Sequence, residues 1–166
     1  HLDHCLGCRR CAEVCPARVD FGAILVRARA GQRARRRPGL RQRGAEWLAA
    51  RPRTLSSLLG LYRRAWPLLP SVARSLPRPP AQIARETEGS EGPAVAVFTG
   101  CVARVYETGL HVAISRLLGA IGQRAVFPDG QGCCGTLHAH AGDVDTAAAL
   151  AARNRTAFAG VATVLT

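Results

Sequence analysis

Two patterns of apolar residues divide the chain. In the second half they come as short runs: Ala94 to Phe98 closed by Thr99-Gly100, Arg124 to Phe127 stopped by Pro128-Asp129-Gly130, and Val161 to Leu165. Each short Val-containing run predicts a strand, and the first, closed by Thr99-Gly100, a buried one. Between them, over residues 105–119, Leu110, Ile114, Leu117 and Leu118 recur at helical spacing, with Gly119 or Gly122 placed to end the helix. A second helix is expected from about Val144 to Phe158, with Asp143 or Asp145 capping or charging its start. Strand, helix, strand, helix, strand implies a parallel sheet with right-handed crossovers, a half-Rossmann unit.

The first half is patterned differently. Residues up to Pro16 read as a loop; from Val19 on, Phe21, Ile24 and Leu25 mark a helix that runs into an arginine-rich stretch and stops near Pro38-Gly39. Residues 45–75 read as two helical pieces. Leu55, Leu58, Leu59, Leu61 and Tyr62 line one face of the first, and Pro67 and Pro70 break or bend the second. Such a face covers a small core of its own, a partner subunit or a membrane surface. Residues 77–93, PRPPAQIARETEGSEGP, have little to bury and read as a linker. The expected organisation is therefore α+β: a helical part over 1–76, the linker 77–93, and an α/β part over 94–166.

Composition narrows the class. At 166 residues and 48% hydrophobic, the chain can bury a core, which excludes wholesale disorder and collagen-like sequence. Arg63 and Arg64 interrupt the longest apolar candidate, Leu55 to Leu69, so no transmembrane helix is expected. Met is absent and His1 falls inside a motif, so the chain reads as an internal stretch of a longer reading frame. The net charge is +12, with every basic residue an Arg. Residues 1–88 hold 18 Arg against 6 acids, and 89–166 hold 5 of each. Eight arginines and no acid lie between Arg27 and Arg43, a block that is solvated or met by an anionic partner. Residues 22–46 carry no aromatic for base stacking, so nucleic acid is not the expected partner.

The seven cysteines form two groups, Cys5, Cys8, Cys11 and Cys15, then Cys101, Cys133 and Cys134. An odd, clustered set suggests thiolates kept reduced to hold metal, and hence the cytoplasm, rather than a secreted disulfide framework. Residues 5–16, CLGCRRCAEVCP, have the Cys-x2-Cys-x2-Cys-x3-Cys-Pro spacing of bacterial ferredoxins. In that arrangement Cys5, Cys8 and Cys11 grip one four-iron cluster while Cys15 serves a second, whose other three ligands lie in a sister motif. No sister motif occurs in these residues. Either it lies upstream of His1 or Cys15 completes a single cluster here; a zinc site is the other reading, although zinc pairs are usually spaced farther apart. His4 reads as a loop residue near the cluster.

Cys101 follows the first expected strand, and Cys133-Cys134-Gly135 follows the second. In a parallel sheet these strand ends share one edge, where α/β folds bind ligands, so three thiols converge there. Adjacent cysteines form only a strained disulfide with each other. Two buried structural thiols are the plainer alternative. Gly130-x-Gly132-x-x-Gly135 is formally a dinucleotide fingerprint, but a Pro-Asp pair separates it from its strand. His138 and His140, alternating at a loop-to-helix junction, read as incidental.

HLDHCLGCRRCAEVCPARVDFG resembles the second cluster-binding run of the iron-sulfur subunit of bacterial glycolate oxidase. Related proteins include the lactate-utilisation iron-sulfur protein, the small iron-sulfur subunit of anaerobic glycerol-3-phosphate dehydrogenase and a subunit of heterodisulfide reductase. FTGC at Phe98–Cys101 through GCCG at Gly132–Gly135 resembles the cysteine-rich CCG domain of those proteins, in the family's order. The resemblance implies a helical ferredoxin-like part joined to a cysteine-rich α/β part. It implies two 4Fe-4S clusters in the complete protein, held by Cys5, Cys8, Cys11 and Cys15 together with the missing run. It also carries metal-ligand roles onto Cys101, Cys133 and Cys134, with room for a further cluster in the CCG part. The function implied is electron transfer from an FAD flavoprotein subunit that oxidises a 2-hydroxy acid towards the membrane quinone pool. The place implied is the cytoplasm, peripheral to the inner membrane face, with no catalytic residue in this chain. The alternative is a heterodisulfide-reductase-like thiol-disulfide subunit with a catalytic cluster in the CCG part.

Overall fold

The computed structural model describes residues 5–83 and 92–166. His4 and the central residues of the linker fall outside them. The elements in order are α1 (Arg10–Glu13), α2 (Phe21–Arg35), α3 (Leu40–Ala49), α4 (Pro52–Ala65), β1 (Ala94–Val97), α5 (Ala103–Tyr106), α6 (Thr108–Ala120), β2 (Arg124–Val126), α7 (Thr136–His140), α8 (Val144–Ala157) and β3 (Thr163–Leu165). This is the expected α+β architecture.

Local chemistry accounts for most boundaries. The Asp20 side chain accepts from the Ala23 amide at 3.0 Å to start α2, and Arg33 and Arg35 in the last turn complement its dipole. Pro38-Gly39 separates α2 from α3, and Pro52 occupies the first position of α4, where its missing N–H costs nothing. Two single 3-10 turns, Trp66–Leu68 and Ser71–Ala73, come next, where Pro67 and Pro70 forbid a continuing α-helix. In α8 the choice of cap falls to Asp143, whose carboxylate accepts from Thr146 N–H at 3.3 Å.

The three strands form a parallel sheet of order β2-β1-β3, with Val95 opposite Ala125 on one side and Thr163 on the other. One core cluster joins Val95, Val97, Leu118 and Ala125, with Ile114 and Phe127 against it. Each such large aliphatic side chain contributes roughly 1.5–3 kcal/mol on full burial.

Several expectations change. The cysteine loop contains a turn of helix, α1. The region 45–75 begins its first helix earlier, at Leu40, and breaks at Arg51-Pro52. Of the five residues placed on one face of α4, only Leu59 is buried, while Leu58 and Leu61 are exposed. The stretch 105–119 is split into α5 and α6, and α6 buries Thr108, His111, Val112 and Leu118, leaving Leu110 and Leu117 in solvent. The helix turns His111 towards Phe127, ring centroids 5.9 Å apart, while Ile114 and Leu118 pack on the sheet. The short helix α7 has no counterpart among the expected elements.

The two halves are joined by packing and by charge. Ala49 of α3 lies in a second core cluster with Cys133 and Leu150, against Cys101. Arg33 forms a two-point ion pair with Glu46, at 2.9 and 2.8 Å, and reaches Asp143 at 3.2 Å. Gln42 donates a further bond to Glu46 at 2.9 Å. The start of the 77–93 segment packs on the second half: Tyr106 donates to the Pro77 carbonyl at 2.9 Å, Gln82 to that of Val105 at 3.2 Å, and Pro79 is buried.

Candidate metal-binding site

Because β1 and β2 run parallel, the chain leaves both at the same edge, and the two loops there bring distant cysteines together. Cys101 and Cys133 lie with their sulfurs 3.6 Å apart. Cys133 is buried and Cys101 half-buried, whereas the neighbouring Cys134 is exposed with its sulfur 3.3 Å from Thr136 Oγ1.

The loops are clamped by residues that carry no signal in the sequence. Gln131, fully buried, donates from Nε2 to the Val97 carbonyl at 3.1 Å. Its Oε1 accepts from the Thr99 amide at 2.7 Å and from Thr99 Oγ1 at 3.1 Å. One side chain thus ties the Cys133 loop to the chain entering Cys101. Asn154 on α8 brackets the next residues: its Oδ1 accepts from Gly132 N–H at 2.8 Å and its Nδ2 donates to the Cys133 carbonyl at 2.9 Å. Arg153 and Arg104 donate to the carbonyls of Gly130 and Gln131, at 2.9 and 3.3 Å. Consecutive residues from Gly130 to Cys133 therefore have backbone groups held by side chains from other elements. Burial pushes Arg104 down from the usual arginine range, with the nearby Asp129 charge opposing.

The thiol pair is electrostatically polarised. Its contact with Cys133 draws the Cys101 thiol down to about 7, against the opposing effect of burial. The same contact, together with burial, pushes Cys133 up. The Gly135 amide donates to the Cys133 sulfur at 3.5 Å and opposes that rise. A thiolate at Cys101 at neutral pH is the form that ligates metal. Gly135 itself adopts φ 85, and a Cβ there would sit 3.1 Å from the Ala147 carbonyl oxygen, so only glycine turns the loop into α7 against α8.

The first group sits on a tighter loop. Cys5, Cys8 and Cys11 are exposed and Cys15 is half-buried. Gly7 at φ 68 and Arg9 at φ 61 flank Cys8 in the left-handed region, so the chain curls sharply around it. α7 reaches this loop. A Cβ on Gly7 would lie 2.7 Å from two ring atoms of His140, so the imidazole rests directly on the glycine. Arg29 donates to the Cys5 carbonyl of the same loop. His138 is buried, its Nε2 3.1 Å from the Glu46 carbonyl. Neither histidine is incidental: one α7 residue fixes the helix to α3 and the other covers the first cysteine loop. Their signal in the sequence is only a pair of polar residues in an otherwise small-residue stretch.

Among the described residues, no three His, Cys, Asp or Glu side chains stand in a geometry that grips one metal ion. The donor set itself fits a thiophilic centre. It offers seven free thiols, a polarised pair at a ligand-binding sheet edge, and a ferredoxin-spaced loop. No described helix is long and apolar enough to cross a membrane.

Residues 95–166 match the family described as CCG, cysteine-rich domain. The chain is 29% identical to the probable glycolate oxidase iron-sulfur subunit of Bacillus subtilis, over 95% of this chain and 42% of that protein. It is also 29% identical to the glycolate oxidase iron-sulfur subunit of Escherichia coli, over 84% of this chain and 36% of that one. To a subunit of the fumarate reductase (CoM/CoB) of Methanothermobacter marburgensis it is 27% identical, over 98% and 29%. The chain thus spans less than half the length of the curated relatives it matches. No solved structure matches it.

Proposed function

Starting from a second half that matches the cysteine-rich CCG domain, and from relatives that are iron-sulfur subunits of oxidoreductases, we infer that this chain is part of an iron-sulfur electron carrier. The carrier works within a glycolate-oxidase-type complex. The observation that carries the reading is the joint placement of the two cysteine groups. Cys101 and Cys133 meet at the sheet edge, and α7, which leaves that edge, ends with His140 on the Cys5–Cys15 loop.

In this reading Cys5, Cys8 and Cys11 hold a four-iron cluster, Cys15 serves a second, and Cys101, Cys133 and Cys134 belong to the CCG centre. The clusters supply one-electron redox capacity. The chain's own residues set where that capacity sits: Gln131 and Asn154 hold the CCG thiols in place, and the Gly7–His140 contact fixes the first loop. The parts 1–76 and 94–166 act as cluster-bearing units joined through 77–93. An FAD subunit oxidises the 2-hydroxy acid and this chain relays electrons towards quinone, from the cytoplasm at the inner membrane face. The oxidation at carbon takes place in the partner subunit.

Anaerobic reconstitution of the complete protein with iron and sulfide tests this. Reduced protein is expected to give cluster signals in electron paramagnetic resonance, and Cys8→Ser to remove one of them. An unchanged spectrum in that variant sinks the ligand assignment. The 3.6 Å approach of the Cys101 and Cys133 sulfurs favours a second reading, a thiol-disulfide subunit with its catalytic centre at Cys101, Cys133 and Cys134. Turnover of a small disulfide by the complete complex supports it; glycolate-dependent dye reduction without such turnover discards it.

A further inference from the structure

Of the eight arginines between Arg27 and Arg43, five line one groove: Arg29, Arg33, Arg35, Arg36 and Arg37. The end of α2, the turn to α3 and the side of α7 enclose a groove of about 810 Å³, with Cys5 and Leu6 on its wall. Arg35, Arg36 and Arg37 line it, and no acidic partner meets them among the described residues. The one carboxylate lining the groove, Glu46, is already bound by Arg33. The potential in the groove is therefore strongly positive, with no free carboxylate on its walls to neutralise it.

Two further features say what fits there. α3 opens on Gly39 without a side-chain cap, and its first backbone bond runs from Arg43 to the Gly39 carbonyl. The amides of Leu40, Arg41 and Gln42 thus remain for an outside acceptor. Apolar side chains also sit beside the charge: Leu6 is 85% exposed and Leu137 46%. No Phe, Tyr or Trp lines the groove, and its one ring, His140, already rests on Gly7, so bases find no free aromatic to stack on, and a flat bilayer surface cannot follow a concave wall. Carboxylates interleaved with apolar side chains match all of these features.

We propose that this groove is the docking site for an acidic, leucine-bearing segment of a partner protein, held beside Cys5. The proposal rests on the electron-carrier reading only for the reason such a partner comes to Cys5. The binding itself requires no cluster.

The test uses the full chain and a fluorescent peptide in which glutamates alternate with leucines, followed by anisotropy at low and moderate salt. The variant Arg35→Gln, Arg36→Gln, Arg37→Gln is expected to weaken binding about tenfold, three screened charge contacts at roughly 0.5 kcal/mol each. Its thermal melt should fall by no more than about 3 °C, since the one contribution lost to the fold is the Arg35 charge on the last turn of α2. A control that removes equal charge elsewhere, Arg64→Gln, Arg78→Gln, Arg124→Gln, should change affinity less than about twofold. Equal loss in both variants overturns the proposal in favour of general charge attraction. Groove-dependent binding to phosphatidylglycerol vesicles or single-stranded DNA that exceeds binding to the peptide overturns it as well. Because the readout needs no iron, a failed cluster assignment and a failed docking site give different results.

Discussion

Replacing Gln131 by Leu is the most direct probe of the paired loops. The change keeps much of the side-chain volume but removes three hydrogen bonds, to the Val97 carbonyl, Thr99 N–H and Thr99 Oγ1. Thr99 and Gln131 are both 1% exposed, so water does not replace the lost partners. Each bond contributes about 1 kcal/mol net, and the Thr99 amide and Val97 carbonyl are then stranded at a cost of roughly 1–3 kcal/mol apiece. Relaxation returns part of this, leaving an expected loss of about 3–5 kcal/mol. For a chain of this size that lowers the melting temperature by roughly 10 °C. Denaturant titration gives the first number. Reaction of Cys133 with a thiol reagent gives a local one, because a thiol buried at 2% exposure should become reactive in the variant well below the unfolding midpoint. A loss under about 1 kcal/mol with Cys133 still protected refutes the clamp. Gln131→Glu sharpens the comparison: its oxygen still accepts from Thr99 but faces the Val97 carbonyl, so it should also destabilise.

Glu46→Gln should cost about 1–3 kcal/mol at neutral pH, since it discharges the buried partner of Arg33 while leaving Asp143 in place. The Arg33 hydrogen bond holds the Glu46 carboxyl below the ordinary value of 4.5. A depressed carboxylate stabilises above its unfolded value and loses that contribution as pH falls through its folded one. Wild type and variant should therefore converge in stability as acid is added below pH 4.5, and a gap that stays constant in urea melts across that range counts against the ion pair. Gly7→Ala should lose about 1–3 kcal/mol through its left-handed backbone and its collision with His140. Adding His140→Ala should restore the collision part only. Strict additivity in the three melts would mean that the ring does not rest on the loop.

The elements with local signals are legible in the sequence. Three short Val-bearing runs are the three parallel strands, and the placing of Cys101 and Cys133 at one sheet edge follows from that topology. Asp143 and Asp20 cap helices as short polar residues do. Periodicity cannot say which stripe of an apolar helix faces inward. α6 carries apolar residues on most sides, and only the folded chain shows that Ile114 and Leu118 are the ones that pack against the sheet. α7 leaves no mark in the pattern because five residues make little more than one turn, too few for a period to show. Gln131 and Asn154 look like ordinary polar residues until their partners, 32 and 22 positions away, arrive beside them. The closing of the Cys5–Cys15 loop beneath His140 is likewise a tertiary fact.

Arg33 touches Glu46 and Asp143, the latter 110 positions away in sequence. A contact of that span forms only when most of the chain has already condensed, because the entropy of closing so large a loop must be met first. It also couples the start of α8 to the end of α2, alongside the burial of Ala49 against Leu150. The two halves, so different in composition, are therefore expected to behave as a single cooperative unit in native-state hydrogen exchange, with the slowest amides of α2 and of α8 sharing one opening free energy.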